Sequence, residues 1–310
     1  MKRSAGKAAV LFNARAGRGR GARTAARVVR FMEGGGWQIS GCLSTPPHAD
    51  DRTNLMAEWA QRVDRLVVVG GDGTLREVSA AIHAQDLKTT VGFVPIGNAN
   101  VVARELGIPR DPRGAIRILT TDCTLAVDIA CISPGDRAGG PMFFLAMLEI
   151  GFGAAVIHRV HRWRTAGWRR LYRFKGDLLY VPAALQALRA LPFTAFQIKL
   201  DDQPALADCR LAVVANTRTY AKGWSLTPGA SPVDGRLDVF SRRRSDPAAV
   251  IRNYAGALRR RTIPGLDVRY RCGRRLAISS PKPLCLQADG EPLPPLTQLD
   301  IAVRPGAVRI

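Results

Sequence analysis

Cysteine is scarce in this sequence, and its arrangement argues against two kinds of stabilising site. Only six of the 310 residues are cysteine. They are scattered along the chain, and none belongs to a Cys-x-x-Cys motif. We therefore expect neither a structural zinc site nor a disulfide framework, and the cysteines are predicted to be buried, reduced thiols.

Long apolar runs are also absent. No segment approaches the ~20 consecutive apolar residues that a membrane-spanning helix needs. The first apolar run, residues 8–12, is too short for the central region of a secretory signal peptide. A cytoplasmic location is therefore expected.

Acidic residues are few relative to basic ones. The chain has 25 Asp and Glu against 46 Lys and Arg, a net charge of +21. Such an excess predicts an anionic partner: a nucleic acid, an acidic membrane surface or a phosphorylated substrate. With 46% hydrophobic and 23% charged residues the composition is that of a globular protein, and 310 residues favour two domains.

The hydrophobic pattern changes part-way along the chain. Residues 1–125 alternate apolar, strand-like runs with amphipathic stretches, which predicts a parallel sheet covered by helices. The predicted strands are 8–12, 37–43, 66–69 and 91–94, and a helix is predicted over 22–32. Later residues form short alternating strands, such as 196–200 and 211–214, with helices near 176–191 and 247–261. This second pattern indicates a mainly antiparallel β domain.

A glycine-rich turn follows the strand at 66–69. Its sequence is Gly70-Gly71-Asp72-Gly73-Thr74, and the residues after it have helical spacing. Glycines let the backbone approach a ligand closely, and the N–H groups that open a helix bind phosphate. A tight turn with a capping aspartate is the structural alternative, but the full motif favours a phosphate site.

The motif resembles the signature of the diacylglycerol kinase catalytic-domain family, which includes sphingosine kinases and bacterial lipid kinases. NAD kinases and phosphofructokinases carry related motifs. Other segments resemble this family and occur in its order along nearly the whole chain. They are Asn13-Ala14-Arg15-Ala16-Gly17, Pro95-Ile96-Gly97-Asn98-Ala99-Asn100-Val101, Val233-Asp234-Gly235-Arg236-Leu237-Asp238-Val239 and Gln287-Ala288-Asp289-Gly290-Glu291-Pro292.

The resemblance implies an α/β fold in which a nucleotide-binding domain with a parallel sheet, residues 1–125, precedes a β-rich lipid-binding domain, residues 126–297. Residues 298–310 form a β segment that is a candidate to pack on the first domain. ATP with Mg²⁺ is the implied cofactor. The residues implied to contact the nucleotide are Asn13, Thr45, Gly70, Gly71, Asp72, Gly73, Thr74, Glu77, Gly97, Asn98 and Asn100.

Two departures from the family pattern matter for the predicted chemistry. Asn98 replaces a threonine, and its amide can still donate a hydrogen bond to phosphate. Val101 replaces an aspartate, which removes a carboxylate near the expected acceptor site. The departures leave open a non-catalytic, anion-binding member of the fold.

Transfer of a phosphoryl group to an alcohol needs a base for the hydroxyl proton. By resemblance the catalytic candidates are Asp289 and Glu291, and we expect Asp289 to be the base, with Glu291 the alternative. In isolation, Asp-Gly-Glu is also a hairpin-turn sequence. Asp128 resembles a family aspartate that belongs to the acidic network near the active site.

A metal site is implied in the second domain. Asp234 corresponds to a family aspartate that binds a structural Mg²⁺ together with backbone carbonyls, here those of Ser231 and Arg236. A lone carboxylate with carbonyl oxygens and waters suits a hard cation. A simple Asp-Gly turn is the alternative at this position.

The segment 159–175 combines basic residues with Trp163, Trp168, Tyr172 and Phe174. This composition favours an anionic membrane surface, with nucleic acid a less favoured partner and a solvated basic helix the alternative. Together with the family resemblance, this segment implies a lipid kinase that binds the inner face of the membrane reversibly. Diacylglycerol is the favoured acceptor, and a sphingoid base or phosphatidylglycerol is the alternative.

Overall fold

The computed structural model describes residues 6–46, 49–121, 123–135, 140–166, 179–189, 193–219, 223–258, 263 and 265–310. The chain divides into two compact units. The first comprises Met1–Ile129, Pro232–Asp234 and Arg304–Ile310, and the second comprises Ala130–Ser231 and Gly235–Val303. Each unit has its own buried apolar core.

The first unit contains a four-stranded parallel sheet with the strand order β2-β1-β3-β4. Its strands are β1 (Lys7–Phe12), β2 (Gln38–Ser44), β3 (Arg65–Gly70) and β4 (Thr90–Pro95). Its helices are α1 (Gly21–Gly34), α2 (Ala49–Arg62), α3 (Asp72–Ala84), α4 (Val101–Glu105) and α5 (Pro112–Ile118).

The apolar pattern of each element explains its place in this unit. Every residue of β3 is buried, as expected for a central strand of a parallel sheet. Ala25, Val28 and Met32 recur at helical spacing along α1 and join the same core. α5 begins at Pro112, and Asp111 caps it by accepting the Gly114 N–H at 2.8 Å.

The second unit is built mainly from two six-stranded sheets. One has the order β12-β11-β10-β7-β14-β15 and the other β6-β5-β16-β13-β8-β9, with the following strands: β5 (Ala126–Pro134), β6 (Met142–Phe144), β7 (Met147–Ile150), β8 (Phe196–Leu200), β9 (Leu206–Cys209), β10 (Leu211–Ala215), β11 (Leu237–Arg242), β12 (Val268–Gly273), β13 (Arg275–Leu284), β14 (Leu286–Ala288), β15 (Glu291–Pro292) and β16 (Leu296–Arg309). Antiparallel pairing predominates in both sheets, as in the strand pairs β10–β11 and β8–β9. The start of β5, up to Ile129, and the end of β16, from Arg304, belong to the first unit.

Within the described residues, the helices that accompany these sheets are α6 (Phe152–Thr165), α7 (Tyr180–Leu188) and α8 (Pro247–Leu258). α6 and α7 share a core cluster that includes Val160, Ala183 and Ala187. Among the described residues, none of the helices is long and apolar enough to span a bilayer.

The predicted fold class is confirmed: a parallel α/β unit is followed by a mainly antiparallel β unit. The helix predicted over 22–32 is observed at Gly21–Gly34. The helix predicted near 176–191 is α7, Tyr180–Leu188, with some of the predicted range outside the described residues. The helix predicted over 247–261 is described as far as Leu258.

Candidate functional site

Two glycine turns lie side by side in the first unit, where β3 and β4 end. These strands are parallel neighbours, with Gly70 paired to Pro95, and the Ile96 N–H donates to the Gly70 carbonyl at 2.8 Å. A Cβ atom added to Gly97 would lie 2.7 Å from the Gly71 Cα, a separation that real side chains do not adopt. The contact between the turns therefore requires glycine at position 97.

The first turn opens helix α3, whose first residues include Gly73 and Thr74. The Asn13 N–H donates to the Val69 carbonyl at 3.0 Å, which holds the end of β1 beside the end of β3. The Asn13 side-chain amide in turn lies 3.4 Å from Thr74 Oγ1. Three residues predicted to contact nucleotide therefore lie at one corner of the sheet.

Asp72 joins the first turn to the second. Its Oδ2 accepts the Val101 N–H at 3.0 Å, and its Oδ1 accepts the Val102 N–H at 3.1 Å. Burial raises the pKa of Asp72 above its usual value, although these backbone hydrogen bonds act in the opposite direction. Both carboxylate oxygens thus hold the start of α4, and Asp72 organises the backbone that a ligand would meet.

Asn100 carries an unsatisfied group in the second turn. Its side chain is buried, and its backbone is left-handed, with φ of 47°. Its Nδ2 donates to the Gly97 carbonyl at 3.1 Å, whereas its Oδ1 has no hydrogen-bond partner within the described residues. A buried acceptor of this kind is expected to be satisfied by an ordered water, an ion or a bound ligand. Asn98 beside it is exposed.

A cationic loop between β1 and α1 lies against the second turn. A Cβ atom on Gly17 would lie 3.1 Å from the Ile96 carbonyl oxygen. Arg15, Arg18 and Arg20 in this loop are exposed, and Arg20 Nε donates to the Gly17 carbonyl at 2.8 Å. The loop therefore places positive charge near the backbone of the second turn.

Thr45 and Glu77 lie on the elements around these turns. The Thr45 N–H donates to the Phe12 carbonyl at 2.9 Å, at the carboxyl ends of β1 and β2. Glu77 is on α3, and its Oε1 lies 3.1 Å from the Arg52 guanidinium on α2. This ion pair ties the two helices together, and the carboxylate of Glu77 is already engaged by a cation.

In the second unit, Asp289 and Gly290 form the two-residue turn of a hairpin between β14 and β15. Both have positive φ angles, 49° and 82° respectively. This is the backbone that an Asp-Gly hairpin favours. Ala288 pairs with Glu291 across the turn. The hairpin-turn interpretation of Asp-Gly-Glu therefore holds for the backbone.

The Asp289 carboxylate is surrounded by backbone donors. Its Oδ2 accepts the Leu145 N–H at 2.8 Å, and its Oδ1 accepts the N–H groups of Ala146 and Met147, both at 2.9 Å. The Asp289 N–H also donates to the Met147 carbonyl at 3.0 Å. Glu291, by contrast, is exposed to solvent. Of the two carboxylates in the motif, Asp289 anchors the turn and Glu291 faces solvent.

Asp128 occupies a buried position in the first unit. Its Oδ1 accepts the Gly306 N–H at 2.7 Å, and its own N–H donates to the Pro232 carbonyl at 2.7 Å. The same strand ends are joined by Leu125 and Ile310, which exchange two backbone hydrogen bonds. Asp128 therefore links β5, β16 and the 232–234 loop.

The segment implied to hold a metal is a turn around Gly235, which has a positive φ of 69°. Asp234 is exposed and lies between Ser231 and Arg236 in the chain. Across the described part of the molecule, His, Cys, Asp and Glu side chains form no cluster of three or more that could hold a metal ion. Only the single carboxylate and backbone carbonyls remain as ligands there, which is a donor set that a hard cation accepts.

The predicted membrane-binding segment 159–175 is described only as far as Ala166. Trp168, Tyr172 and Phe174 lie outside the described residues. Arg162 and Arg164 are exposed at the end of α6, and the Arg164 guanidinium lies 5.9 Å from the centre of the Tyr180 ring. On α7, Val181 and Leu185 are 61% and 58% exposed, so apolar side chains accompany these cations.

Comparison with known proteins assigns the chain to a family. Residues 7–132 match the diacylglycerol kinase catalytic domain, and residues 146–310 match the YegS C-terminal NAD kinase beta sandwich-like domain. The chain belongs to the diacylglycerol kinase catalytic family of lipid kinases. Membership implies use of ATP and a lipid substrate.

Individual relatives agree with this assignment. A diacylglycerol kinase of Mycobacterium tuberculosis is 29% identical over 80% of this lipid kinase-family chain and 77% of its own length. A diacylglycerol kinase of Bacillus subtilis is 27% identical over 92% of this chain and 89% of its own length. The crystal structure of a candidate diacylglycerol kinase from Bacillus anthracis has a TM-score of 0.75 at 22% identity, covering 98% of this chain and 96% of the other, which supports the fold.

Two buried residues of this lipid kinase-family protein were missed by sequence reasoning. Glu149 on β7 and Gln287 on β14 are 4% and 2% exposed. They are paired across β7 and β14, at the base of the hairpin of residues 286–292, which is named the acidic hairpin. One signal was available: Glu149 is the only acidic residue in the apolar strand Met147–Ile150. Its partner was not visible, because it lies 138 residues away in sequence.

Proposed function

We propose that this protein is a diacylglycerol kinase that transfers the γ-phosphate of ATP to the free hydroxyl of the lipid. The observation that carries the proposal is the contact between the glycine turns after β3 and β4. Adjacent helix-opening turns supply backbone N–H groups for neighbouring phosphates.

The nucleotide is proposed to bind the first unit. The phosphates would meet the turns at Gly70–Thr74 and Gly97–Asn100, with the exposed arginines of the 13–21 loop adding positive charge. Asn98 is exposed, so its amide is accessible to donate to a phosphate. The unpartnered Oδ1 of Asn100 would accept a hydrogen bond from the nucleotide or contact its cation.

Glu291 is proposed as the general base, in place of Asp289. The Asp289 oxygens already accept three backbone N–H groups, so using it as a base would compete with the anchoring of its own turn. The exposed Glu291 carboxylate would accept the hydroxyl proton as the lipid oxygen bonds to the γ-phosphorus. The bond between that phosphorus and the bridging oxygen breaks, and ADP leaves with the electron pair.

Mg²⁺ is proposed to accompany ATP, since it neutralises the charge that develops during phosphoryl transfer. A second, structural Mg²⁺ is proposed at Asp234 with the carbonyls of Ser231 and Arg236. The exposed carboxylate and the turn at Gly235 support this proposal. The residues Asp128 and Glu77 are proposed to stabilise the surrounding backbone and helices.

The protein is proposed to bind the inner face of the membrane reversibly while it acts on the lipid. The exposed cations Arg162 and Arg164 and the exposed apolar side chains Val181 and Leu185 support this proposal. Basic residues are attracted to anionic head groups, and apolar side chains can enter the interface. The net charge of +21 has the sign that such a surface requires.

The test is transfer of radiolabelled γ-phosphate from ATP to lipids presented in mixed vesicles. Diacylglycerol, a sphingoid base and phosphatidylglycerol are compared at equal mole fraction, with Glu291→Gln as the matched control. We expect the wild type to phosphorylate diacylglycerol fastest and the variant to be nearly inactive. Faster transfer to another of these lipids would identify that lipid, and not diacylglycerol, as the preferred substrate. Binding of ATP without transfer to any lipid would favour the anion-binding alternative.

A further inference from the structure

A buried pair of side chains, Glu149 and Gln287, is hydrogen-bonded to the turn of the acidic hairpin. Gln287 and Glu149 are direct partners in the antiparallel pairing of β14 with β7. Gln287 Nε2 donates to Glu149 Oε2 at 3.1 Å, and Gln287 Oε1 accepts the Gly290 N–H at 2.8 Å. A continuous hydrogen-bonded path thus runs from Glu149 through Gln287 to the turn beside Glu291.

Glu149 is placed where a negative charge is stabilised. A Cβ atom added to Gly153 would lie 1.9 Å from Glu149 Oε1, so the carboxylate packs against the first turn of α6. The N-terminus of a helix favours an anion. Other ionisable groups on the adjoining elements include His158 and Arg159 of α6, and Cys285, whose pKa burial raises to about 11.

The two partners of Gln287 determine which way its amide faces. The Gly290 N–H can only donate a hydrogen bond, so it selects the amide oxygen of Gln287 and turns the amide nitrogen towards Glu149 Oε2. The opposite orientation would set two acceptors against each other at Glu149 and two donors against each other at Gly290. Both partners are buried, which makes such an arrangement unfavourable.

We propose that Glu149 and Gln287 form a positioning relay that fixes the Asp289–Gly290 turn and thereby orients Glu291. The inference rests on the proposed function, in which Glu291 is the base. Neither relay residue contacts the reacting atoms in this scheme. Asp289 anchors one side of the turn to the backbone of residues 145–147, and the relay anchors the other side.

The chain offers a variant set that separates positioning from bulk stability. Gln287→Leu removes the acceptor for the Gly290 N–H. Gln287→Glu keeps the acceptor but sets two carboxylates against each other. The exchanged pair, Glu149→Gln with Gln287→Glu, restores both hydrogen bonds. Its new carboxylate at position 287 would accept from the new amide at position 149 and from the Gly290 N–H.

Kinetics in lipid vesicles give the first readout, with thermal unfolding to show that each variant is folded. We expect kcat to fall about tenfold to a hundredfold in each single variant at Gln287, as small displacements of a catalytic group do. The KM for ATP should change little. The exchanged pair should recover most of the lost kcat. A folded exchanged pair that is no better than Gln287→Glu would overturn the relay, as would normal kcat in Gln287→Leu.

Amide hydrogen exchange of Gly290, measured on glycine-labelled protein, tests the relay without any activity. We expect slow exchange in the wild type and the exchanged pair, and faster exchange in Gln287→Leu. Equal exchange in all three would overturn the relay. If the wild type transfers phosphate to no lipid but this exchange pattern is found, the relay stands and the proposed function fails.

Discussion

Asp72 in the first unit and Asp289 in the second are used in the same way. Each lies next to a glycine in a sequence motif, and each directs its carboxylate to backbone N–H groups. Asp72 holds Val101 and Val102, and Asp289 holds the backbone of residues 145–147. In both units the motif aspartate anchors the backbone around its turn.

What the two turns present to solvent is different. The first unit presents glycine backbone and a loop of exposed arginines, which suits an anion. The second presents the Glu291 carboxylate, which suits a proton to be removed. We therefore expect the groups beside each aspartate, and not the aspartates themselves, to carry the chemistry proposed for the two motifs.

The largest effect is expected at the acidic hairpin. Glu291→Gln should lower kcat by about a hundredfold to ten-thousandfold, the range for loss of a general base, with unchanged affinity for ATP and an unchanged melting temperature. Asp289→Asn should lower both activity and stability, because its NH₂ group cannot accept the N–H groups that the carboxylate accepts. An active Glu291→Gln, or an Asp289→Asn that is fully stable but inactive, would return the role of base to Asp289.

Asp72→Ala is expected to have the next largest effect. The start of α4 would lose two hydrogen bonds, and the second turn would shift from the first. We expect turnover to fall by about a hundredfold, the scale of losing one preorganised group, with a higher KM for ATP. Steady-state kinetics and ATP titration measure both. Near-normal kinase activity in the folded variant would contradict the assignment of the ATP site to these turns.

The two units also contain glycines that are required for different reasons. Gly97→Ala should push the turns apart, since its Cβ would meet Gly71 Cα at 2.7 Å, and we expect ATP affinity to fall about tenfold. Gly290→Ala has open space around its Cβ but keeps a positive φ of 82°, so the cost should be about 1–2 kcal/mol in stability. Isothermal titration and chemical denaturation separate the two. Unchanged ATP affinity in Gly97→Ala would argue against a shared site.

The smallest effect is expected for membrane binding. Replacing Arg162 and Arg164 with Ser should weaken binding to anionic vesicles by about fivefold for each residue, since each contributes about 1 kcal/mol near the surface. The control is the double variant Arg113→Ser with Arg117→Ser. It removes the same charge from two exposed positions in the first unit. Co-sedimentation at low and high salt measures both pairs. Equal losses in the two pairs would show a general effect of net charge.

Sequence reasoning located the two glycine turns well because their signal is local. A buried strand followed by Gly70–Thr74 predicts a turn that opens a helix, and the structure has α3 starting at Asp72. The neighbouring turn at Gly97 follows from the order of the strands. The hydrogen-bond partners of the Asp72 carboxylate could not be predicted, because Val101 and Val102 lie 29 and 30 residues away in the sequence.

The second unit shows where local signals end. From the sequence, Asp289-Gly290-Glu291 could be recognised as a hairpin turn and as an acidic motif. Which of its two carboxylates is exposed could not be predicted. That depends on the backbone of Leu145 to Met147, more than 140 residues earlier, and on the buried pair Glu149 and Gln287.

The amino-acid sequence by itself determined the family, the two classes of fold and the positions of the motifs, since apolar periodicity and glycine spacing act over a few residues. Only the tertiary structure decided how the motif carboxylates are used. Asp72 and Asp289 meet backbone donors contributed by distant segments, whereas Glu291 remains exposed. A carboxylate's role depends on the donors and solvent around it, and these are assembled only when strands far apart in sequence pair.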